Sequence, residues 1–211
     1  MIYGTYLSAA GMANEQARID LIANNLANSE TAGFKRILSV YQERRAPAGQ
    51  PDALARMTGG REMMPTLLDR AQGGLEASDN PLDVALVGDG FLAVEKNGAR
   101  HLTRDGRLAV NAEGELSLAA DPGVRVLDAA TDGPIRLGTL TPDQLRIDER
   151  GVVRNTADGD APIGTLSLAT ADTVRPLGGG LLTATGPTRP AADVQVRGGF
   201  VEQSNVRPRR S

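Results

Sequence analysis

The apolar residues near the start of the chain repeat with helical spacing. From residue 2 to residue 28 there is no proline, and at about 100° per residue the apolar side chains fall on two stripes, well over a quarter-turn apart. The first stripe consists of Leu7, Ala10, Ala17 and Leu21. The second stripe consists of Met12, Ile19, Ile22 and Leu26. The spacing predicts one long helix with contacts on two sides, because a helix docked only on its own domain normally needs a single apolar stripe.

Asparagines are concentrated at the end of this predicted helix. Asparagine is unfavourable in a helix interior and favourable at a helix end or a polar seam, yet Asn24, Asn25 and Asn28 lie close together there. Asn14, Asn24 and Asn28 also continue the first stripe at heptad-like spacing, where buried polar residues fix the register of packed helices. The pattern leaves open the alternative that this is an ordinary helix packed into a groove of its own domain.

Residues 81–205 consist of short apolar runs separated by turns that contain glycine. The segment FLAVEKNGARHLT has Asn97–Gly98 at its centre, and Asn-Gly is a strong hairpin signal because both positions tolerate positive φ. Further hairpins are predicted around Glu113–Gly114 and Arg150–Gly151, and further strands in IGTLSLAT, GLLTAT and ADVQVRGGFVEQS. Turn signals about every 8–12 residues indicate a compact all-β domain, rich in hairpins and sandwich-like or barrel-like.

These patterns predict a mainly β protein with a long N-terminal α-helix. They also divide the chain into four regions. Residues 1–36 contain the helix and the loop at its end. Residues 37–80 are predicted to be a turn-rich linker, with a short helix around residues 52–57. Residues 81–205 form the all-β domain, and residues 206–211 (VRPRRS) are predicted to be a disordered tail.

Composition excludes several classes of function. The net charge is −3 and aromatic residues make up 3% of the chain, so neither a basic field nor base-stacking surfaces favour nucleic-acid binding. No apolar run approaches the ~18 residues that span a bilayer, and no cleavable secretion signal is recognisable at the N-terminus. The absence of cysteine removes disulfides, thiolate metal ligands and a cysteine nucleophile. We therefore expect no nucleic-acid binding and no membrane insertion.

No motif in the sequence supports catalysis. VGDGF (residues 87–91) has the glycines of a phosphate loop, but a strand rather than a helix follows them, so we expect a hairpin turn. DGD (158–160) and DAATDG (128–133) lack the downstream glutamate of a calcium loop. His101 is the only histidine, which excludes a multi-histidine metal site. We expect a protein that is not an enzyme, with no catalytic residues, no cofactor and no metal.

Three stretches of the chain resemble motifs of one known family. YLSAAGMANEQARIDLIANNLANSETAGFKR resembles the N-terminal signature of bacterial flagellar rod and hook proteins, in which a helix ends in an NN-x-AN-x-x-T-x-GFK run. NPLDVALVGDGFLAVEKNGARHLTRDGRLAVNAEGEL is similar to the family's GDGFF core and its TR-x-G continuation. GGFVEQSNV resembles the family's G-x-LE-x-SNV element. Within this family the chain looks most like a proximal rod protein, with the distal rod protein next.

The resemblance implies a mechanical function and a mode of assembly. Family members polymerise, with themselves and with other axial proteins, into the basal-body rod that crosses the periplasm and transmits torque for motility. They leave the cell through the flagellar export apparatus without a cleavable signal peptide. The N-terminal helix would lie in the core of the shaft with the β domain outside it, so both stripes and Asn14, Asn24, Asn25 and Asn28 would be interface residues.

The resemblance also has implications for both ends of the fold. Gly33 would release the chain from the helix end, and Phe34 would anchor its return. Family members continue into a further helix after the SNV element, whereas Pro208 is followed here by only a few residues. The expectation is therefore that the family's C-terminal helix is absent.

Two other classes of function compete with this interpretation. One is a secreted β-rich adhesin or ligand-binding module with an N-terminal helix, which would need an exposed ligand face. At least half of the six aromatic residues lie in or beside the helical segment, so such a face is hard to build. The other is a hydrolase of the cell wall, which would need a placed pair of carboxylates that the sequence does not mark out.

Overall fold

The fold consists of one N-terminal helix followed by a body of short strands. The computed structural model describes residues 2–43, 61–191 and 193–206. Helix α1 spans Ile2–Ala27, 26 residues, which confirms the predicted long helix. It ends in a turn in which the amides of Asn28 and Ser29 donate to the carbonyl oxygens of Asn24 and Leu26, at 3.2 and 3.1 Å. No helix in the described ranges combines the length and the apolar character needed to cross a bilayer.

In the described part of residues 37–80, three strands follow the helix. Strands β1 (Ile37–Glu43) and β2 (Arg61–Leu68) pair antiparallel, with Ile37 opposite Leu68. The main contacts of α1 with the body are made to this ribbon. Strand β3 (Leu75–Ala77) is short. The short helix expected around residues 52–57 lies outside the described residues, and the division of the chain into four regions remains a prediction.

The body contains fifteen further strands and two short 3₁₀ turns. The turns are Pro142–Gln144 and Thr156–Asp158. In chain order the strands are β4 (Val84–Val87), β5 (Phe91–Lys96), β6 (Ala99–Thr103), β7 (Leu108–Val110), β8 (Leu116–Leu118), β9 (Asp121–Val126), β10 (Leu145–Ile147), β11 (Val152–Asn155), β12 (Ala161–Thr165), β13 (Leu168–Ala171), β14 (Val174–Gly178), β15 (Leu181–Ala184), β16 (Thr188–Pro190), β17 (Gln195–Gly198) and β18 (Phe200–Glu202).

Antiparallel pairing organises these strands into one large sheet and several small ones. The large sheet has nine strands in the order β14–β15–β6–β5–β9–β8–β7, with β13 pairing with β5 and β16. Strands β10, β11 and β12 form a three-stranded sheet, and the two-stranded ribbons are β4–β17 and β3–β18. The mainly β prediction is therefore confirmed, as a set of compact sheets without a closed barrel.

The predicted hairpin turns are present because glycine takes up the positive φ that each requires. Asn97 and Gly98, at φ 52° and 76°, connect β5 to β6. Gly114 (φ 72°) lies between β7 and β8, and Gly151 (φ 77°) lies between β10 and β11. Local turn chemistry thus determines these three connections.

The hairpin expected at VGDGF is wrong. Gly88 and Gly90 connect β4 to β5, but β4 pairs with β17 whereas β5 pairs with β6, β9 and β13. The segment is a crossing between two sheets. A Cβ atom at Gly90 would lie 2.6 Å from the Val194 side chain, so glycine is required here by close packing.

One apolar core joins the sheets. Leu92 and Leu116 of the large sheet, Val153 of the three-stranded sheet, and Leu86 and Val196 of the β4–β17 ribbon belong to the same buried cluster. Each of these side chains is nearly inaccessible to solvent. A second cluster surrounds Phe91 on the other side of β5. The two faces of β5 are therefore both buried, as expected for a central strand.

Candidate assembly site

The three family-like motifs meet where α1 joins the β body. We call this place the junction and define it by Gly33, Lys35, Arg104, Glu202 and Asn205. Gly33 and Lys35 lie in the loop that follows α1, Arg104 follows β6, Glu202 ends β18, and Asn205 follows β18. The fold brings segments from the start, middle and end of the chain into contact here.

A buried group of three charges forms the centre of the junction. The Lys35 ammonium lies 2.6 Å from Glu202 Oε1, and the Arg104 guanidinium lies 3.1 Å from Glu202 Oε2. The backbone amide of Gly73 also donates to Glu202 Oε1, at 2.8 Å. The side chains of Lys35, Arg104 and Glu202 are at most 2% exposed. Both carboxylate oxygens are therefore satisfied away from water, as a buried charge requires.

Burial opposes the charge on both cations of this group. It lowers the pKa of the Lys35 ammonium below its usual 10.5, and the hydrogen bond and charge of Glu202 act against that lowering. Burial likewise lowers the pKa of the Arg104 guanidinium, again against Glu202. Glu202 is thus the group that keeps two desolvated cations tolerable inside the fold.

Arg104 has a second set of contacts beyond Glu202. Its guanidinium donates to the carbonyl oxygen of Leu86, at 3.0 Å, and to that of Gly88. The same guanidinium lies over the Phe91 ring, 5.3 Å from its centroid, and Arg70 lies 5.4 Å from that centroid. Arg104 therefore ties the junction to the crossing between β4 and β5.

Backbone hydrogen bonds also join the N-terminal loop to the C-terminal strand. The Gly33 amide donates to the Glu202 carbonyl at 2.7 Å, and the Asn205 amide donates to the Phe34 carbonyl at 3.2 Å. The Asn205 side chain accepts from the Arg36 amide at 2.6 Å and donates to the carbonyls of Asp69 and Ala71, each at 2.9 Å. Asn205 thus connects the loop after α1 to the chain that follows β2.

Gly33 occupies a position that only glycine fits. Its φ is 65°, and a Cβ atom there would collide with the backbone carbonyl group of Arg104 and lie 2.5 Å from the Asp105 amide nitrogen. A backbone neighbour cannot move aside as a flexible side chain can. The close approach of the two motifs therefore depends on the missing side chain.

The asparagines at the end of α1 have different roles. The Asn25 side chain donates to the Ile37 carbonyl at 2.8 Å and accepts from the Ile37 amide at 2.9 Å, so it pairs with the start of β1 as a neighbouring strand would. Asn28 donates to the Asn24 carbonyl at 2.9 Å. Asn24 is exposed. The structure thus gives Asn25 and Asn28 partners within the chain.

The two stripes of α1 differ in exposure. Asn14, Ala17, Leu21, Asn25 and Asn28 are half-buried, and Asn25 contacts β1, whereas Ala10 is exposed. Leu7 lies in α1, but its side chain is outside the described part of the chain. The second stripe is open to solvent: exposure is 68% for Met12, 57% for Ile19, 55% for Ile22 and 61% for Leu26. One apolar face of α1 therefore has no cover in the described chain.

Sequence reasoning missed the roles of Lys35, Arg104, Glu202 and Asn205. All four lie inside the quoted motifs, but residues of these charged and polar types are usually exposed, so the local sequence gives no sign that they are buried or half-buried. Among the residues described, no group of three or more histidine, aspartate and glutamate side chains is placed to hold a metal ion.

Comparisons with known proteins identify the family. The family described as flagella basal body rod protein matches residues 6–35, which cover most of α1 and the first part of the junction. The chain is 31% identical to flagellar basal-body rod protein FlgF of Mesorhizobium japonicum and 32% identical to FlgF of Caulobacter vibrioides; each match covers 96% of this chain and 82% of the relative. FlgF of Salmonella typhimurium is 31% identical, over 98% of this chain and 83% of the relative.

The relatives named FlgG match less of the chain. FlgG of Caulobacter vibrioides is 28% identical over 67% of this chain and 60% of the relative. This difference agrees with the predicted likeness to a proximal rod protein, with the distal rod protein next. The adhesin alternative finds no support among these relatives. The chain belongs to the flagellar basal-body rod protein family, and it is a structural subunit of the rod in the basal body.

Proposed function

We propose that this rod subunit joins the axial structure through α1, whose second stripe packs against helices of neighbouring axial subunits. The observation that carries the proposal is the exposure of Met12, Ile19, Ile22 and Leu26, all above one half. Full burial of such a side chain contributes about 1.5–3 kcal/mol relative to full exposure. Four exposed side chains in one stripe therefore leave a large part of this free energy to be gained on assembly.

The first stripe supports the same interface from the other side. Its half-buried members, with Asn25 and Asn28, hold α1 against the β1–β2 ribbon. Asn24 is exposed and available to a neighbouring helix, where a polar residue would favour one register. The proposed assembly residues are Leu7, Ala10, Met12, Asn14, Ala17, Ile19, Leu21, Ile22, Asn24, Asn25, Leu26 and Asn28, and the proposed helix-end loop contains Gly33 and Phe34.

The junction connects this interface mechanically to the β body. Torque received by α1 reaches the β body through the Lys35–Glu202–Arg104 group and through the backbone bonds of Gly33 and Asn205. These contacts are buried or made by backbone, so they yield less under load than a solvated loop. The role is mechanical and needs neither a catalytic residue nor a cofactor.

Family membership supports the remaining parts of the proposal. The partners are other copies of this chain and other axial proteins of the rod and hook. The subunit leaves the cell through the flagellar export apparatus without a cleavable signal peptide, and it occupies the part of the rod that crosses the periplasm.

Complementation tests the proposal. In the source bacterium, deletion of the gene should abolish swimming and complete basal bodies, and the gene carrying Ile19→Glu and Ile22→Glu should fail to restore them. The control is Gln16→Glu, which places the same side chain at an exposed polar position of α1 and should restore swimming. Normal flagella in the deletion strain would contradict the rod function. Full rescue by the Ile19→Glu, Ile22→Glu gene would contradict assembly through the second stripe.

A further inference from the structure

A groove lined by arginines lies beside the β3–β18 ribbon. It has a volume of about 850 Å³, and its lining includes the side chains of Arg146, Arg150, Arg154 and Arg197. We call it the arginine groove. Two carboxylates, those of Asp148 and Glu149, also line it. The cations therefore outnumber the anions two to one.

Part of the positive charge in the arginine groove is not neutralised by ion pairs among the described residues. Asp148 accepts from the amides of Arg150 and Val152 and from Arg154 Nε, at 2.9, 3.0 and 3.0 Å, so its charge is already engaged. Among the described residues, no side chain forms an ion pair with Arg146 or Arg150. Both of these side chains are exposed at the edge of the groove.

A second groove of similar volume has the opposite charge. It measures about 870 Å³ and lies beside the loop after α1, with Glu30, Glu76 and Asp83 in its lining and Arg107 as its cation. We call it the acidic groove. Glu202 also reaches it, but that charge is balanced by Lys35 and Arg104. Asp83 is buried and accepts from the Ser78 and Asn80 side chains, so the exposed carboxylates are those of Glu30 and Glu76. Glu76 accepts from the neutral Gln203 side chain, at 2.7 Å.

The two grooves adjoin the same ribbon. Ala77 and Val201 of the β3–β18 ribbon line the acidic groove, whereas Gly199 and Phe200, at the start of β18, line the arginine groove. The Arg197 guanidinium lies over the Phe200 ring, 5.6 Å from its centroid, which places a cation on the arginine side of the ribbon. Their positions relative to each other are thus fixed by paired backbone.

We propose that the exposed arginines along the arginine groove of one copy of this chain bind the exposed glutamates along the acidic groove of the next copy. The inference rests on the proposed function, because it supplies a second contact between rod subunits, outside the helical core. Two different patches that bind each other make a heterologous contact, and such a contact builds an open helical array unless its rotation closes a ring. Opposite charges on the two patches set the direction of the contact and disfavour like-to-like pairing.

Another copy fits the arginine groove better than an unrelated anion does. The acidic groove carries the opposite charge, and it is present at the same concentration as the arginine groove because it is on the same chain. A cell-wall polymer with peptide carboxylates would also meet the cations. Binding of such a polymer would not involve the acidic groove, so charge changes in the acidic groove distinguish the polymer from a second copy of the chain.

Charge reversal is the first arm of the test. In the deletion strain, Arg146→Glu with Arg150→Glu should reduce swimming at least tenfold, and so should Glu30→Arg with Glu76→Arg. The four changes together should recover most of the loss, because the contact is restored with its signs exchanged. Circular dichroism and thermal unfolding of each purified variant should match the parent, since these side chains lie on the surface.

Cross-linking is the second arm, and the lack of cysteine in the chain makes it direct. A strain that produces the Arg150→Cys chain together with the Glu30→Cys chain should yield a disulfide-linked dimer in isolated basal bodies. Strains with either chain alone should not. Pairing Arg150→Cys with Glu113→Cys, an exposed glutamate in the β7–β8 turn, is the matched control.

Three results would overturn the inference. The first is full rescue by either reversed pair in a strain whose deletion abolishes the rod, which leaves the rod function intact. The second is the absence of the mixed dimer from flagellated cells. The third is binding of purified cell-wall sacculi that depends on Arg146 and Arg150 while the four-fold exchange gives no recovery; this would assign the groove to the wall polymer. A deletion strain that builds normal rods would refute the proposed function itself.

Discussion

The Lys35 ammonium and the Glu202 carboxylate lie 2.6 Å apart, although 167 positions separate them in the chain. Both side chains are buried, at 2% and 0% exposure. The pair closes the fold where the first motif meets the last, and Arg104 supplies the cation of the middle motif. In the proposed function, force passes from the helix to the β body, and this pair lies on that route.

The first prediction concerns the charge of Glu202. Glu202→Gln keeps the size of the side chain but leaves Lys35 and Arg104 as buried cations without an anion. Removing one partner of a buried charge group costs about 3–5 kcal/mol. Urea denaturation should show a loss of this size in the free energy of unfolding. Glu113→Gln, an exposed change in a turn, is the control and should alter it by less than about 0.5 kcal/mol. A Glu202→Gln protein as stable as the parent would show that the charge group does not hold the junction.

The second prediction separates backbone conformation from close approach at Gly33. Gly33→Ala should destabilise the protein by both effects, since φ is 65° and the new Cβ would meet the Arg104 carbonyl. Gly138→Ala is matched in conformation, at φ 66°, and has no atom within 4 Å of the added Cβ. It should cost only the conformational part, about 1–2 kcal/mol. Thermal unfolding of both variants measures the difference, and equal losses would mean that the contact with Arg104 is not tight.

The third prediction tests the pairing of Asn25 with Ile37. Asn25→Ala removes both hydrogen bonds, so the end of α1 should detach from β1 more often, at a cost of about 1–3 kcal/mol. Hydrogen exchange of the Ile37 amide should speed up by at least tenfold. In the isolated protein Asn24→Ala should leave this amide unchanged, because Asn28 bonds to the Asn24 carbonyl and not to its side chain. Equal exchange rates in the parent and in Asn25→Ala would contradict the pairing.

The fourth prediction concerns acid. The Ala71 amide, 3.1 Å from Asp69 Oδ1, is the main group that holds the pKa of Asp69 below its usual 3.8, and Arg36, at 2.7 Å, adds to this. The unfolded chain therefore binds more protons than the folded chain between the lowered pKa and 3.8, so stability rises with pH across that window. The contribution is complete above 3.8 and is lost as pH falls through the lowered pKa.

Asp69→Asn checks this sign. The variant should be less stable than the parent at pH 7, and the difference should shrink as pH falls below 3.8. Urea denaturation at pH 7 and at pH 3 provides the comparison, with the exposed Asp79→Asn as control. A difference that stays constant over this range would exclude Asp69 as a source of acid sensitivity.

The sequence predicted what is decided by near neighbours in the chain. The α1 helix follows from apolar spacing, and the turn at Asn97–Gly98 follows from the conformations these two residues tolerate. The charge group at Glu202 could not be predicted in this way, because its partners lie 98 and 167 positions away. A lone glutamate in a strand has the same local pattern whether it faces water or two buried cations.

Pairing between strands that are distant in the chain could not be predicted from the local sequence either. VGDGF has the residues of a tight turn, yet β4 and β5 enter different sheets because β4 pairs with β17, more than a hundred positions later in the chain. The exposed stripe of α1 differs, because spacing within the helix is enough to place its residues on one face. Its members were predicted as a contact surface from spacing alone, and in the described chain they are exposed. No property of the sequence specifies the shape of the partner that the proposed function assigns to them.

The most direct test of the central claim is a photo-cross-linking amino acid at position 19 in flagellated cells. Basal bodies would be isolated after irradiation and the adducts identified by mass spectrometry, with a probe at the exposed turn residue Glu113 as reference. If α1 assembles through its second stripe, the probe at position 19 captures α1 of another copy or a helix of another axial protein. Flagellated cells in which position 19 captures no axial protein would contradict assembly through the second stripe of α1.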